Sequence, residues 1–244
     1  YNCTPLLVAL KSGHTACAQA LIDAKADTNA KDRYNTTALI AAATSGAVEV
    51  LRGLIASDAN IEAVDNAGFS SLRCAARNGQ TECLKVLIEA KARVDARDKG
   101  GATALSTAAF EGHDACLQVL IDAKADVNGR ASNGSTPLMA ASQIDWFLGG
   151  SGDISFISIG GLGSMPLPSA PATDAFAKCM LMLIAAKADI DAKDSSGSSS
   201  LAKAASIGAV DRVHILIDAK ADINAPDNTG FTALMFAAHR SKPD

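Results

Sequence analysis

Seven leucines stand in register along this chain, each the third residue of a small-hydroxyl–x–Leu triplet: Leu6, Leu39, Leu72, Leu105, Leu138, Leu201 and Leu234. The intervals between them are 33, 33, 33, 33, 63 and 33 residues, so the one irregular step is a normal period plus 30. Self-similarity at such a period marks an array of stacked units, each packing only on its neighbours, rather than a globular core divided into domains. The period predicts units at about 4–36, 37–69, 70–102, 103–135, 136–198, 199–231 and a partial one at 232–244.

Within a period the pattern is two short helices and a turn-rich connector. Thr4 is placed to cap a helix that begins on Pro5, where the missing N–H costs nothing. That helix should stop at Gly13, and its counterparts at Gly46, Gly79, Gly112 and Gly208. A second helix is expected from about Thr15 to Ala24, followed by a connector of about ten residues. Apolar residues make up 48% of the chain and aromatics only 4%, so the core must be built from Ala and Leu. A net charge of −4 gives no basic excess of the kind nucleic acid requires.

The period, the "TPL" or "TAL" triplet, the mid-unit Gly, the "LI" pair and the "AD-x-N-A-x-D-x-x-G" connector resemble the ankyrin repeat. The resemblance covers nearly the whole chain. It implies an all-α solenoid of helix-turn-helix units with projecting hairpin loops, acting in protein–protein interaction through a concave surface. The histidine that commonly follows "TPL" in that family is absent: Leu7, Ile40, Arg73, Ser106, Met139, Ala202 and Met235 stand there.

A second departure is the lysine just past the second helix, at Lys25, Lys91, Lys124, Lys187 and Lys220, where ankyrin units usually carry Gly. A left-handed residue with a Cβ is disfavoured by about 1 kcal/mol or more. The helix dipole returns roughly 0.3–1 kcal/mol to a cation placed there. Asp27, Asp126, Asp189 and Asp222 lie two residues away and would cancel a basic row.

Cys17, Cys83, Cys116 and Cys179 each precede the "LI" leucine by four residues and read as small buried hydrophobes. Cys3 and Cys74 complete no zinc or disulfide spacing. Reduced thiols favour an intracellular compartment, cytoplasmic or inside an organelle, where glycosylation triplets at Asn2, Asn35 and Asn133 would be silent. His14, His113, His214 and His239 have no activated nucleophile near them in sequence. No phosphate-binding, zincin, nucleophile-elbow or calcium-loop motif occurs, so no enzyme activity, cofactor or metal site is expected.

The additional 30 residues lie in the fifth unit, between a first helix ending near Ile144 and a second beginning around Thr173–Asp174. From Trp146 to Ala172 there is one charge, Asp153, among six Gly, five Ser and three Pro, which excludes a membrane span. The stretch is expected to be a long loop with room for a short strand at "ISFISI". Its Trp146, Phe147 and Phe156 make it a candidate partner contact. The other candidate contacts, at connector tips and first helices, are Arg33, Tyr34, Phe69, Lys99, Phe110, Glu111, Ile207, Phe231 and Arg240.

The chain opens at "YNCTPLL" and closes at "AAHRSKPD" without polar capping units, which points to a fragment of a longer protein. Two alternatives to a free binding module follow. One is a structural subunit of a larger, membrane-associated assembly; the other is the targeting arm of an enzyme whose catalytic domain lies outside this chain.

Overall fold

The hydroxyl residues that open the first six triplets each cap a helix. Thr4, Thr37, Ser70, Thr103, Thr136 and Ser199 are extended, and each accepts a hydrogen bond from the backbone N–H three residues on. This satisfies one of the donors that every helix start leaves without an intrahelical partner. The computed structural model describes residues 3–143, 156–159, 162–166 and 172–240. Its helices are α1 (Pro5–Lys11) and α2 (Thr15–Asp23), α3 (Ala38–Ser45) and α4 (Val48–Ala56), α5 (Ser71–Arg77) and α6 (Thr81–Glu89), α7 (Ala104–Glu111) and α8 (Asp114–Asp122), α9 (Pro137–Ser142) and α10 (Ala172–Ala185), α11 (Ser200–Ser206) and α12 (Val210–Asp218), and α13 (Ala233–Arg240).

Helices this short are marginal alone and need tertiary packing. The odd-numbered helices form one layer, each against the next from α1 to α13, and the even-numbered ones form a second layer from α2 to α12. The register leucines Leu6, Leu39, Leu72, Leu105, Leu138 and Leu201 are buried between the layers. Alanine pairs such as Ala42–Ala43, Ala75–Ala76 and Ala108–Ala109 are also fully buried and let neighbouring helices approach closely. The seventh register leucine, Leu234, is 76% exposed, because α13 packs chiefly on α11 and no described helix follows it in its layer.

The glycines expected to end the first helices do so with φ between 67 and 75°. At Gly79 and Gly112 a second constraint applies. The His113 and Phe176 rings each lie 3.0 Å from where a Cβ would stand, so a side chain there would press on the next unit and the ring would have to give way. Phe176 precedes Leu183 by seven residues, as His113 precedes Leu120. In the fifth unit the tight glycine turn is replaced by the insertion, and α10 runs for 14 residues where α8 has 9. The buried Arg212 of α12 secures both roots of that insertion: Nη1 donates to the Ser142 carbonyl at 3.3 Å, and the guanidinium lies 4.9 Å from the Phe176 ring centre.

Inside the insertion, β1 (Phe156–Ile159) pairs antiparallel with β2 (Leu162–Pro166), Phe156 opposite Pro166 and Ile159 opposite Leu162. The composition suggested one strand there; its partner strand was not anticipated. Cys83, Cys116 and Cys179 are buried as expected, but Cys17 is exposed. The difference is positional, since α6, α8 and α10 each have helices of their layer on both sides whereas α2 has only α4.

The connectors are tied to one another as well as to the helices. One ladder is side chain to backbone: the amides of Asn60, Arg93, Asp126, Asp189 and Asp222 donate to Asn29, Glu62, Asp95, Asn128 and Asp191 of the preceding connector at 2.7–3.0 Å. A second is backbone to backbone, from Asn66 to Tyr34, Lys99 to Ala67, Ser132 to Gly100, Ser195 to Asn133 and Asn228 to Ser196.

The lysine in "LIDAKAD" takes the left-handed conformation, with φ of 64–70° at Lys25, Lys91, Lys124, Lys187 and Lys220, and Asp58 fills the same slot in the second unit. The Lys25 N–H donates to the Ile22 carbonyl and that of Ala26 to Leu21, which is the double bond that closes a Schellman helix end. Replacing the five lysines by Gly removes the Cβ penalty, partly offset by the greater entropy of Gly in the unfolded chain. Each change should stabilise by about 0.5–1 kcal/mol, and sites this far apart should add. Urea unfolding of the fivefold variant should show a raised midpoint; an unchanged midpoint would mean that the lysine stems and charges recover the whole cost.

Candidate functional site

Which side of the first helices faces the connectors is fixed by three ion pairs. Lys11 Nζ meets Asp32 at 2.5 Å, Arg73 Nη1 lies 3.1 Å from Asp98, and Lys203 Nζ lies 2.6 Å from Asp194. In each case a first-helix cation reaches a connector carboxylate, so the two elements share one face. The acids are folded inward: Asp32 accepts from the amides of Tyr34 and Thr36, and Asp194 from those of Ser196 and Ser198. Burial works to raise the Asp32 carboxyl, but the Lys11 bond and these backbone donors outweigh it and hold it below the ordinary carboxylate range. Asp194 is held low in the same way, with Lys203 as its partner.

The centre of the face is a cluster around α5 and α7. The Arg73 guanidinium lies 3.7 Å from the Phe69 ring centre, and its Nε donates to Thr107 Oγ1 at 3.0 Å. Its Nη1 pairs with Asp98 off the hydrogen-bond direction. Arg77 stands 5.9 Å from the same ring and 3.8 Å from Glu111. Burial pushes the Glu111 carboxyl up, and Arg77 pulls it back only in part.

Of the sequence-derived contacts, Phe69 and Glu111 belong to this cluster, and Phe110, 51% exposed, adjoins it on α7. Arg33 and Tyr34 stand one connector before Phe69, the guanidinium 4.6 Å from the ring centre and Tyr34 40% exposed. Lys99 is exposed on the connector beside Asp98. Ile207 and Phe231 sit further along the array, apart from the cluster, with Phe231 packed on Phe236 at 5.5 Å. Arg240 is the last residue of α13, and its side chain lies outside the described residues. So do Trp146 and Phe147 entirely, and the side chain of Phe156.

Among the described residues no group of three or more His, Cys, Asp or Glu is placed to hold a metal ion. No described helix is long and apolar enough to cross a membrane. Burial raises the thiols of Cys74 and Cys83 to about 11 and that of Cys179 to about 12, so these sulfurs are poor nucleophiles.

Residues 1–65, 72–145 and 172–244 match three copies of the family model described as ankyrin repeats. The chain belongs to the ankyrin repeat family. No curated protein matches the sequence. The fold is similar to the human ASB11 ankyrin repeat domain, with a TM-score of 0.76 and 20% identity over 99% of each chain. It is also similar to the ankyrin repeat domain of Bcl-3, a member of the IkappaB family, with a TM-score of 0.71 and 22% identity over 96% of this chain and 93% of that one. Ankyrin repeat domains generally mediate protein–protein interaction.

Within this ankyrin repeat array, sequence reasoning overlooked Arg73 and Arg77 as parts of the face. The available signal was Arg73 itself, a long cation in the slot the family commonly gives to His. Replacing Arg73 with Met should leave Asp98 largely buried without its cation and remove the stack on Phe69. A loss of about 2 kcal/mol is expected in chemical denaturation. Lys should restore only part of it, because an ammonium lacks the planar surface that covers the ring.

Proposed function

We propose that this chain is a non-enzymatic protein-binding module whose partner lies along the concave face formed by the connector tips and first helices. The observation that carries the reading is the exposure of two aromatics, Tyr34 and Phe110, on the face where the ion pairs join helices to connectors. Exposed aromatics beside arginine are the common anchors of protein interfaces. Arg33, Phe69, Lys99 and Glu111 complete the central contacts, and Ile207, Phe231 and Arg240 extend them along the array. Trp146, Phe147 and Phe156 of the insertion are assigned a supporting contact. Residues 1–244 are assigned to one array, a reading supported by the two connector ladders, which link the described connectors from Asn29 to Asn228.

A structural subunit of a larger assembly is a second reading, favoured by the exposed Leu234 and Met235 of α13.

The partner is to be identified by crosslinking to the intact protein, and its affinity then measured for the Tyr34→Ala/Phe110→Ala variant. Binding should weaken more than tenfold while the thermal melt stays within a few degrees of the parent. Val210→Ala, exposed on the even-numbered layer, should bind normally. Unchanged affinity in the aromatic variant would refute the assigned face.

A further inference from the structure

We infer that the connector tips form a docking strip for an extended, acidic polypeptide segment. This specifies the partner chemistry of the protein-binding reading above and rests on it. Six cations stand at two recurring connector slots: Lys31, Arg97, Arg130 and Lys193 in one, and Arg33 and Lys99 in the other, two residues further along. All six are exposed. None of them forms an ion pair among the described residues.

The interactions that hold these cations leave their charge uncancelled. Arg97 donates to the Arg130 carbonyl, Arg130 to the Lys193 carbonyl at 2.6 Å, and Lys193 Nζ to the Pro226 carbonyl at 2.8 Å. The acceptors are neutral, so the ladder fixes the cations along one edge without neutralising them. The acids that stand between the two slots are turned the other way. The side chains of Asp32, Asp98 and Asp194 are only 5%, 8% and 7% exposed and are already matched by Lys11, Arg73 and Lys203. In these three connectors the carboxylate between the slots is turned inward and the cations outward; the exposed Asp95 and Asp191, two residues before Arg97 and Lys193, are occupied by the ladder amides of Asp126 and Asp222.

The spacing defines the ligand. Packed helices lie 8–10 Å apart, so the slots recur at about 10 Å. An extended polypeptide advances about 3.3 Å per residue, which brings a carboxylate at every third position opposite each successive connector. From Arg33 to Lys193 is four such steps, spanned by about twelve extended residues. A nucleic acid fits less well. Its single strands need a run of aromatic platforms, and among the described residues Tyr34 is the one aromatic adjacent in sequence to any of the six cations.

The test uses the full chain and a fluorescent fifteen-residue peptide, (Glu-Gly-Ser)5, against its (Gln-Gly-Ser)5 counterpart at 20 mM salt. The acidic peptide should bind at least tenfold tighter than the neutral one and weaken at 200 mM salt. The strip variant Lys31→Glu/Arg33→Glu/Lys99→Glu should lose that binding by tenfold or more. The Arg52→Glu/Lys85→Glu/Lys124→Glu variant, with the same net charge but reversed away from the strip, should keep it. No acidic preference, equal losses in both variants, or tighter binding of a fifteen-residue oligothymidylate or of phosphatidylserine vesicles would each overturn the inference. The crosslinked partner separates the two proposals. If it depends on Tyr34 and Phe110 but ignores strip reversal, the concave face stands and the acidic ligand falls.

Discussion

A pair of helices mostly seven to nine residues long has two apolar faces and little of its own to cover either. Every other feature of this chain answers that constraint. The register leucines and paired alanines sink into the neighbouring unit, so burial is always shared. The approach has to be close, and it is set at glycines such as Gly112, whose left-handed turn also leaves room for the Phe176 ring of the following unit. Stability in such an array belongs to the interfaces between units more than to the units themselves.

Hydrogen bonding follows the same logic. An isolated connector would leave its amides to water, but here successive amides find an acceptor on the preceding connector, by side chain in one ladder and by backbone in the other. The buried acids at the connector bases then need cations, and the first helices supply Lys11, Arg73 and Lys203. Fold and candidate face are therefore made by the same contacts, and the Arg73 cluster belongs to both.

Much of this was legible from spacing alone. The period located the caps, the glycine stops and the left-handed lysines, because each is a local backbone requirement repeated at a fixed distance. What was not legible depends on neighbours. Cys17 shares its slot with three buried cysteines and is exposed, since exposure is decided by whether a helix lies on both sides. Phe69 read as a free aromatic, but an arginine four residues on covers it. The strand β2 was hidden in a stretch that reads as glycine-rich loop, though a Gly-Gly pair precedes it in sequence as a hairpin turn would require. A net charge of −4 gave no hint of six exposed cations recurring at two connector slots, because composition carries no positions.

The insertion leaves from the turn between α9 and α10, at the far end of the unit from the connectors. The ladders pass it undisturbed. Asp189 donates to Asn128 across 61 residues of sequence, and Ser195 reaches Asn133 as its counterparts do where no insertion intervenes. Arg130 likewise meets the Lys193 carbonyl 63 positions later. The edge formed by the connectors thus behaves as a ruler whose graduations ignore how much chain was spent between them. New sequence can be spliced into that turn, lengthened or exchanged without moving a mark, so this molecule can vary one end of a unit while the other keeps its measure.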